Sequence, residues 1–479
     1  MKLASPEASA LTPVLSRLRS GEIRHVDLKA LDLFGRWRHI TLPAHEVDAE
    51  TFRSGVPFDG SSFPGYRSIE ESDMLMLPDP ETAFVDPYAG EATLSLATDI
   101  YEPNGQRYDR DPRGVAQRAA DFVRATGVAD TAYFGPELEF FVFDGVRFDL
   151  RNHAGSYAID SAEGDWASGE AGALGQSFLA KGGYFATAPQ DRSGPLRNAM
   201  SEALEAAGII VERHHHEVGG PGQGEMNIRF ADLVRAADNV LKVKYILKNV
   251  ADAFGKTLTF MPKPVYGENG SGMHVHQSLF LGGENRFYDA DGYSGLSPLA
   301  RAYLAGILQH GPAIVALTNP TTNSYKRLVP GYEAPIYLAF SSANRSAAVR
   351  IPVGVRDAKG ARIEFRTPDA SCNPYLAFAA VLMAGLDGIE RGLEPERLGM
   401  GPVQRDIYHL PAEEAARLRQ VPGSLGESLT ALEADHEFLL KGGVFSEDLI
   451  GTWIREKREE ARRLGMRPTP EEFAQYYTI

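Results

Sequence analysis

Apolar and polar residues alternate along much of the first hundred residues, which is the period of a half-buried strand. Val26 and Leu28 are in phase, and so are Leu94 and Leu96 further along the chain. This pattern predicts a strand-rich segment that ends at about residue 101. A run rich in Gly, Asp and Arg, at 104–113, then interrupts the alternation. We expect a domain boundary there, with one domain at 18–104 and a second at 111–479.

The second part of the chain mixes helical spacing with short alternating segments. Helices are predicted over residues 114–125, 194–207, 231–254, 298–309, 374–391 and 446–464. Isolated strands lie between them, whereas residues 153–183 are rich in Gly, Ala and Ser and predict a loop. Together these elements indicate an α+β architecture.

Residues 319–335 have almost no apolar periodicity, and their prolines, glycine and small polar residues predict a loop. A long polar loop is costly to order inside a compact domain, and such loops are usually active-site covers or binding loops. Arg327 and Glu333 lie in this segment. We therefore expect it to hold an anion and to close a site.

Several predicted strands carry acidic, histidine or arginine residues on one face and apolar residues on the other. In 134–143, Glu137 and Glu139 alternate with Leu138 and Phe140. The polar residues of the other strands are Glu225, Asn227 and Arg229, then His274, His276 and Ser278, then Arg362, Glu364 and Arg366. A solvated outer face explains any one such strand. Together they favour a sheet curved around a polar cavity.

Such a cavity would hold five carboxylates and the imidazole of His274. The carboxylates are those of Glu137, Glu139, Glu217, Glu225 and Glu364. So many like charges repel one another unless cations neutralise them, and this donor set suits Mg²⁺ or Mn²⁺ better than Zn²⁺. Pairing with arginines is the competing explanation, and both can hold at once. Divalent cations beside arginines predict a metal-dependent phosphoryl-transfer enzyme.

Charge and cysteine content limit the class of protein further. The formal net charge of -15 argues against a nucleic-acid-binding protein or a membrane-surface protein. Cys372 is the only cysteine, so no intramolecular disulfide is possible and a cytoplasmic location is predicted. The N-terminus lacks the pattern of a signal peptide, and the longest apolar run, 375–386, is too short to span a bilayer.

Nine strings of residues resemble the type I, bacterial glutamine synthetases, and they occur in that family's order over nearly the whole chain. They are FDGSS (58–62), ESD (71–73), GPELE (135–139), HHHEV (214–218), KP (263–264), NGSGMHVH (269–276), the segment 319–335, NRS (344–346) and RIEFR (362–366). Single turns such as DGSS occur in many folds. Chance does not explain the complete ordered set.

The resemblance implies ATP-dependent condensation of L-glutamate with ammonium through a γ-glutamyl phosphate, assisted by two or more Mg²⁺ or Mn²⁺ ions. By position, the ligands of one metal are Glu139, Glu217 and Glu225, and those of the second are Glu137, His274 and Glu364. The positions that hold glutamate are Asn269, Gly270, Arg327 and Arg366. Those that bind the nucleotide are Glu212, Phe230, His276, Ser278, Arg345, Lys359 and Arg362.

The same resemblance implies roles in the reaction itself. Arg345 and Arg350 match the arginines that stabilise the transferring phosphoryl group. Asp59 matches the carboxylate that binds ammonium and helps remove its proton, with Tyr184 and Glu217 beside it. Glu333 matches the flap residue that covers the intermediate and excludes water.

The resemblance also implies the arrangement of the whole molecule. The expected fold is a small N-terminal β-grasp-like domain plus a large catalytic domain, in which helices surround a curved antiparallel sheet. The expected assembly is a homo-oligomer, a dodecamer of two stacked hexameric rings, with each active site shared between neighbouring subunits. Tyr408 lies in a segment that resembles the adenylylated loop of bacterial relatives, which would make an adenylylating enzyme a partner.

Two other functions are compatible with the same motifs. A ligase for a larger amine would need a wider or uncharged pocket, but Asp59 and Tyr184 are both retained. A non-catalytic structural or regulatory homologue would be free to lose metal ligands, and all six are present. The chain departs from the bacterial pattern at Gly224, before Glu225, and at 66–68, after the DGSS turn.

Overall fold

The structure, a computed structural model of the chain, describes residues 7–169, 174–342, 344, 346–352, 358–404 and 418–479. It contains runs of strands and runs of helices, and its strand pairs are mostly antiparallel, which agrees with the α+β prediction. Within the described residues, no helix is both long enough and apolar enough to cross a membrane.

The first sheet is built from six short strands: β1 (His25–Leu31), β2 (Trp37–Pro43), β3 (Val56–Asp59), β4 (Asp73–Pro78), β5 (Phe84–Asp86) and β6 (Thr93–Tyr101). The order is β2-β1-β6-β4-β3, with β5 also on β6. The β1–β6 pair is parallel and the other pairs are antiparallel. Leu11 and Val14 of helix α1 (Ala8–Arg19) pack on the core of this sheet, and a short helix α2 spans Thr51–Ser54.

The second sheet is larger and supplies the polar face. Its strands are β7 (Thr131–Phe143), β10 (Val211–His216), β11 (Gln223–Ile228), β12 (Ala231–Asp232), β13 (Thr257–Thr259), β14 (Met273–Leu281), β15 (Glu284–Asn285), β16 (Tyr337–Ser341), β17 (Ala347–Arg350) and β18 (Ile363–Phe365), whereas β8 (Gly145–Arg151) and β9 (Ala154–Asp160) form a separate hairpin. The main order is β10-β11-β7-β14-β18-β17-β16. All the pairs along this order are antiparallel except β16–β17.

Helices pack on the apolar side of this sheet and against one another. The helices of the second part are α3 (Pro112–Thr126), α4 (Gly194–Ala206), α5 (Leu233–Ala253), α6 (Pro298–Gln309), α7 (Gly311–Thr318), α8 (Ser324–Arg327) and α9 (Pro374–Glu390), followed by Leu425–Ala434, Glu437–Leu440, Glu447–Gly465 and Pro470–Tyr476. Of these, Pro470–Tyr476 is exposed along its whole length and α8 lies at the cavity. Helices α6 and α9 approach each other closely at glycines. A Cβ on Gly306 would lie 2.1 Å from the Ala384 oxygen, and one on Gly388 would lie 2.2 Å from the Ala302 oxygen.

His310 joins three parts of this helical layer. It is buried between α6 and α7, with Nε2 2.8 Å from Asp387 Oδ2 on α9 and Nδ1 2.9 Å from Asp435 Oδ2. Lys441 Nζ lies 2.7 Å from Asp387 Oδ1. Burial would raise the pKa of Asp387, but hydrogen bonds from Lys441, His310 and Arg391 outweigh it and lower that pKa to about 2.

The two sheets are joined through Arg113 on α3, which is buried. Its Nη1 lies 2.7 Å from Asp99 Oδ1 on β6 and its Nη2 lies 2.6 Å from Asp79 Oδ2, which follows β4. On the other side, Nε lies 3.1 Å from Asp238 Oδ1 on α5, and the Tyr375 hydroxyl donates to the same carboxylate. One guanidinium therefore holds carboxylates from both parts of the chain.

All six predicted helices are present, with ends within two residues of the predicted ones. The loop prediction for 153–183 is wrong in its first part, because Ala154–Asp160 pairs along its whole length with Gly145–Arg151. The loop prediction for 319–335 also needs correction, since it contains α8. Ser324 and Arg327 of that helix are buried, whereas Lys326, Gly331 and Glu333 are exposed, so the segment is anchored by the helix and reaches the surface beyond it.

Candidate active site

A cavity of about 510 Å³ opens on the polar face of the large sheet. Alternation along each strand points its polar residues into the cavity and its apolar residues into the helical layer. The register then aligns them across strands: Glu225 is opposite Glu139, His274 is opposite Glu137, and His276 is opposite Glu364. Directly opposite residues have Cβ atoms roughly 4.5–5.5 Å apart. The pairing of the strands thus gathers these side chains.

The first group of possible cation ligands is His215, Glu217 and Glu225, whose donor atoms lie within 4.8 Å of one another. Glu139 faces the same region and accepts a hydrogen bond from the Gly272 N–H at 2.7 Å. Burial, followed by the charges of Glu139 and Glu225, raises the pKa of Glu217 to about 9. A bound cation would favour the ionised form of this carboxylate. The raised pKa of Glu217 therefore indicates a place where a cation would bind.

The second group is Glu137, His276 and Glu364, again with donor atoms within 4.8 Å of one another. His274 lies between the two groups, with Nδ1 3.6 Å from Glu364 Oε1 and Nε2 3.8 Å from Glu139 Oε1. Burial alone would raise the pKa of Glu137, but hydrogen bonds from His274 and His276 hold it far below its usual range. The two groups therefore differ in how readily their carboxylates ionise: the pKa of Glu217 is raised in the first, and the pKa of Glu137 is lowered in the second.

Arginines neutralise part of the second group. Arg350 Nη1 lies 2.8 Å from Glu364 Oε2 and Arg366 Nε lies 3.2 Å from Glu364 Oε1. Burial raises the pKa of Glu364, and the charges of His276, His274, Arg366 and Arg350 more than offset it, so the pKa is lowered. The sequence left open whether such carboxylates bind cations or pair with arginines. Glu364 pairs with arginines and is also among the possible cation ligands. The donor set, oxygen-rich with imidazole, fits divalent cations such as Mg²⁺ or Mn²⁺.

Two buried polar atoms at the cavity have no hydrogen-bond partner among the described residues. They are Nη1 of Arg366, a donor, and Oδ1 of Asn269, an acceptor. Buried polar groups are almost always paired, so an unpaired donor and acceptor at one cavity indicate a polar ligand. A ligand that carries both an acceptor and a donor, such as an amino acid, would satisfy both atoms.

Arg327 and Gly270 also line the cavity, but the guanidinium of Arg327 faces backbone. It donates to the carbonyl oxygens of Thr367 at 2.7 Å and Arg366 at 3.1 Å. A Cβ on Gly270 would lie 2.7 Å from Arg327 Cγ, so glycine is required for the arginine to pass. In this structure Arg327 shapes the wall beside Arg366.

Other predicted site residues divide into four sets. Tyr184, Glu333 and Arg350 line the cavity. Glu212, Phe230, His276, Ser278, Lys359 and Arg362 lie outside its lining, although Arg362 Nε is 3.3 Å from His276 Nδ1 and His276 Nε2 is 3.0 Å from Glu137 Oε1. Asp59 is exposed on the N-terminal domain, where it accepts hydrogen bonds from Ser61 and Ser62. Arg345 and Tyr408 lie outside the described residues.

The sequence interpretation missed His215 as a cation ligand and gave no role to Lys181 or Tyr332, although all three line the cavity. The signal for His215 was present, because it is two residues before Glu217, near the end of a strand that stops at His216. Lys181 and Tyr332 lie in irregular segments, where no periodicity fixes their direction.

Carboxylates and histidines beside arginines, on a curled sheet that adjoins a small second sheet, define a divalent-cation-dependent enzyme of the phosphoryl-transfer type. Comparison narrows the class to one family. Residues 109–476 match the family described as glutamine synthetase, catalytic domain, and residues 22–103 match glutamine synthetase, beta-Grasp domain. The chain belongs to the glutamine synthetase family.

Individual relatives agree over nearly the full length. The chain is 52% identical to the glutamine synthetase of Streptomyces coelicolor over 464 residues, which cover 96% of this chain and 97% of that one. It is 50% identical to the glutamine synthetase of Frankia alni over 471 residues, covering 97% and 98%. The cryoEM structure of Plasmodium falciparum glutamine synthetase superposes with a TM-score of 0.89 at 30% identity, covering 100% of both chains. The predicted β-grasp and curled-sheet fold is thereby confirmed.

Proposed function

We propose that this chain ligates ammonium to the γ-carboxylate of L-glutamate at the cavity on the large sheet, with ATP as the phosphoryl donor and γ-glutamyl phosphate as intermediate. Membership of the family makes the chain an enzyme, a ligase that produces glutamine. The observation that carries the detailed proposal is the juxtaposition of cation-binding groups with the unpaired atoms of Arg366 and Asn269.

The cation ligands are proposed as two sets. Glu139, Glu217 and Glu225 would hold one ion, and Glu137, His274 and Glu364 would hold the second. His215 and His276 adjoin the two sets and would orient or supplement them. When bound, Mg²⁺ or Mn²⁺ would neutralise the charge that develops on the transferring phosphoryl group.

Glutamate would lie between the orphaned atoms. Nη1 of Arg366 would donate to its α-carboxylate and Oδ1 of Asn269 would accept from its α-ammonium, so both buried atoms become paired. Gly270 lets the wall pass close to the ligand, and Arg327 fixes the backbone from which Arg366 projects. The γ-carboxylate would then point towards the cation ligands.

The nucleotide would approach from the end of the cavity where His276 and Arg362 are in contact. We assign Glu212, Phe230, His276, Ser278, Arg345, Lys359 and Arg362 to its binding. Arg350, which already contacts the buried Glu364, would stabilise the phosphoryl group in transfer together with Arg345.

The amine would meet Tyr184 and Glu217 at the cavity and Asp59 from a neighbouring subunit. Asp59 is exposed in the single chain, and its carboxylate is kept ionised by hydrogen bonds from Ser61 and Ser62, which lower its pKa. An exposed, ionised carboxylate outside the cavity fits a shared site. We therefore also propose the homo-oligomer, a dodecamer of two hexameric rings, in which Asp59 completes the amine site.

Three further assignments belong to the same proposal. The domain limits are 18–104 and 111–479, the location is the cytoplasm, and Tyr408 is adenylylated. Adenylylation would add negative charge and bulk, and would lower activity or shift the metal preference. Mass spectrometry of the protein from nitrogen-replete cells tests it, and an unmodified Tyr408 under every nitrogen condition contradicts it.

The central test uses the purified chain with ATP, L-glutamate and either ammonium or a panel of amines that includes ethanolamine and a polyamine. We expect glutamine and phosphate in equal amounts, with ammonium preferred and no product after chelation of divalent cations. Glu139→Ala and Glu364→Ala should abolish synthesis, since both side chains serve cations. Glu364→Ala should also lower the melting temperature, because it leaves Arg350 and Arg366 without their buried partner. A preference for a larger amine, or activity retained by both variants, would contradict the proposal.

A further inference from the structure

Two irregular segments of the cavity lining contact each other, and both carry residues in the left-handed backbone region. Lys181 and Phe185 in one segment have φ of 61° and 52°, and Glu333 in the other has φ of 54°. All three line the cavity. Residues other than glycine adopt this left-handed backbone region only where surrounding contacts impose it. Such residues cluster at functional sites. Contacts must therefore hold Glu333 in place.

The contacts converge on the ring of Tyr332, next to Glu333. Lys181 Nζ lies 4.1 Å and Lys263 Nζ lies 3.9 Å from the ring centroid, both within range of a cation–π interaction. Lys181 Nζ also lies 3.4 Å from the carbonyl oxygen of Gly331. One aromatic ring thus receives two ammonium groups from two different segments.

Both lysines are anchored below the ring. The Lys263 N–H donates to Asn323 Oδ1 at 2.7 Å, and Lys263 Nζ donates to the backbone oxygen of Glu268. The buried Glu268 carboxylate accepts from the Lys181 N–H at 2.9 Å and from the Gly220 N–H at 3.2 Å. The backbone of Lys181 and both the backbone and the ammonium group of Lys263 are therefore held by hydrogen bonds next to the ring.

We propose that Lys181, Lys263 and Tyr332 are positioning residues that hold the covering segment, residues 319–335, in place as a clamp. As a result Glu333 stays over the reacting carbonyl and water stays out. The inference rests on the proposed γ-glutamyl phosphate chemistry. It adds to that chemistry the groups that decide whether the intermediate is used for synthesis or is lost.

The intermediate has two fates, and both release phosphate. When ammonia attacks, a C–N bond forms, the C–O bond to phosphate breaks, and one proton leaves the nitrogen, which gives glutamine. When water attacks the same carbon, a new C–O bond forms, the C–O bond to phosphate breaks, and the water loses both protons, so glutamate is regenerated and phosphate is released. The amount of phosphate released per glutamine therefore reports how well the cover excludes water.

The test replaces the ring and one cation and measures phosphate and glutamine at low ammonium in the full-length protein. Tyr332→Leu removes the π face, whereas Tyr332→Phe keeps it. Lys181→Met removes one ammonium group, whereas Lys181→Arg keeps a cation over the ring. We expect Tyr332→Leu and Lys181→Met to raise the phosphate-to-glutamine ratio, Tyr332→Leu by on the order of tenfold, while total phosphate release stays near that of the unmodified chain.

The conservative variants should keep the low ratio, and Lys326→Met supplies a charge control from the same covering segment. An unchanged ratio in Tyr332→Leu overturns the clamp. So does equal loss of glutamine and phosphate, which would indicate a merely structural role, or an equal rise in Lys326→Met. If the unmodified chain makes no glutamine, the proposed function itself fails. That result differs from a Tyr332→Leu variant whose phosphate-to-glutamine ratio is unchanged, which contradicts only the clamp.

Discussion

At the scale of single residues, the site is defined as much by atoms without partners as by those that are paired. Asn269 Oδ1 and Arg366 Nη1 are buried and unpaired among the described residues, whereas each oxygen of the Glu364 carboxylate accepts a hydrogen bond from an arginine. Leaving a buried polar atom unpaired costs about 1–3 kcal/mol. The site therefore favours a ligand that pairs both atoms.

Replacement of Asn269 tests this directly. Asn269→Ala removes the acceptor, so the Michaelis constant for glutamate should rise about tenfold, or ~1.4 kcal/mol, with a smaller change in kcat. Steady-state kinetics with glutamate varied at saturating ATP and ammonium measures both. Asn249→Ala, on α5 away from the cavity, is the matched control. A normal Michaelis constant in Asn269→Ala would remove this residue from the glutamate site.

At the scale of elements, the sequence predicted what is periodic and missed what is not. Period-two alternation alone is enough to place Glu137 and Glu139 on the cavity face, because a strand offers only two faces. The hairpin strand Ala154–Asp160 was missed because Ala, Gly and Ser are weak strand formers, and its order comes from pairing with Gly145–Arg151. The clamp at Tyr332 joins irregular segments distant in sequence, where no local pattern exists.

The close contact of α6 and α9 gives a stability prediction. Gly306→Ala would force a methyl group to 2.1 Å from the Ala384 oxygen, so the helices must separate and the free energy of unfolding should fall by about 1–3 kcal/mol. In Gly451→Ala, at an exposed position of the helix Glu447–Gly465, no described atom lies within 4 Å of the new methyl. That variant should be neutral or more stable by about 0.5–1 kcal/mol. Denaturant unfolding of both variants compares them, and equal stabilities would contradict the packing argument.

The contacts of Asp387 with His310 and Lys441 predict that the stability of the protein depends on pH. The Asp387 pKa is lowered to about 2 from its ordinary value of 3.8 by Lys441, His310 and Arg391, against the effect of burial. Its ionised form therefore adds stability that is complete above pH 3.8 and is lost as the pH falls to about 2. Asp387→Asn should be less stable than the unmodified chain at neutral pH, and the difference should shrink across this window. Acid titration of the unfolding midpoint measures it, and a constant difference would contradict the assignment.

At the scale of the whole molecule, Asp59 and Glu364 lie on different parts of one chain, and only Glu364 lines its cavity. If neighbours share sites, Asp59→Ala and Glu364→Ala chains, each inactive, should recover activity when assembled together. Random mixing in equal amounts would leave on the order of a quarter of the sites with both residues intact. Mixing Glu139→Ala with Glu364→Ala should recover nothing, since both side chains line one chain's cavity. Confirmed mixed oligomers without activity would contradict the placement of Asp59 in a neighbouring subunit's site.

The guanidinium of Arg113 also limits how this protein can evolve. A recombination event that brought in a foreign N-terminal domain without acids at positions 79 and 99 would leave that guanidinium buried with Asp238 alone. Removing the partners of a buried charge costs about 3–5 kcal/mol, a large share of the stability of an ordinary domain. The arginine and its three aspartates must be inherited as one set, so the small domain diverges together with the large one and is not a module free to be exchanged.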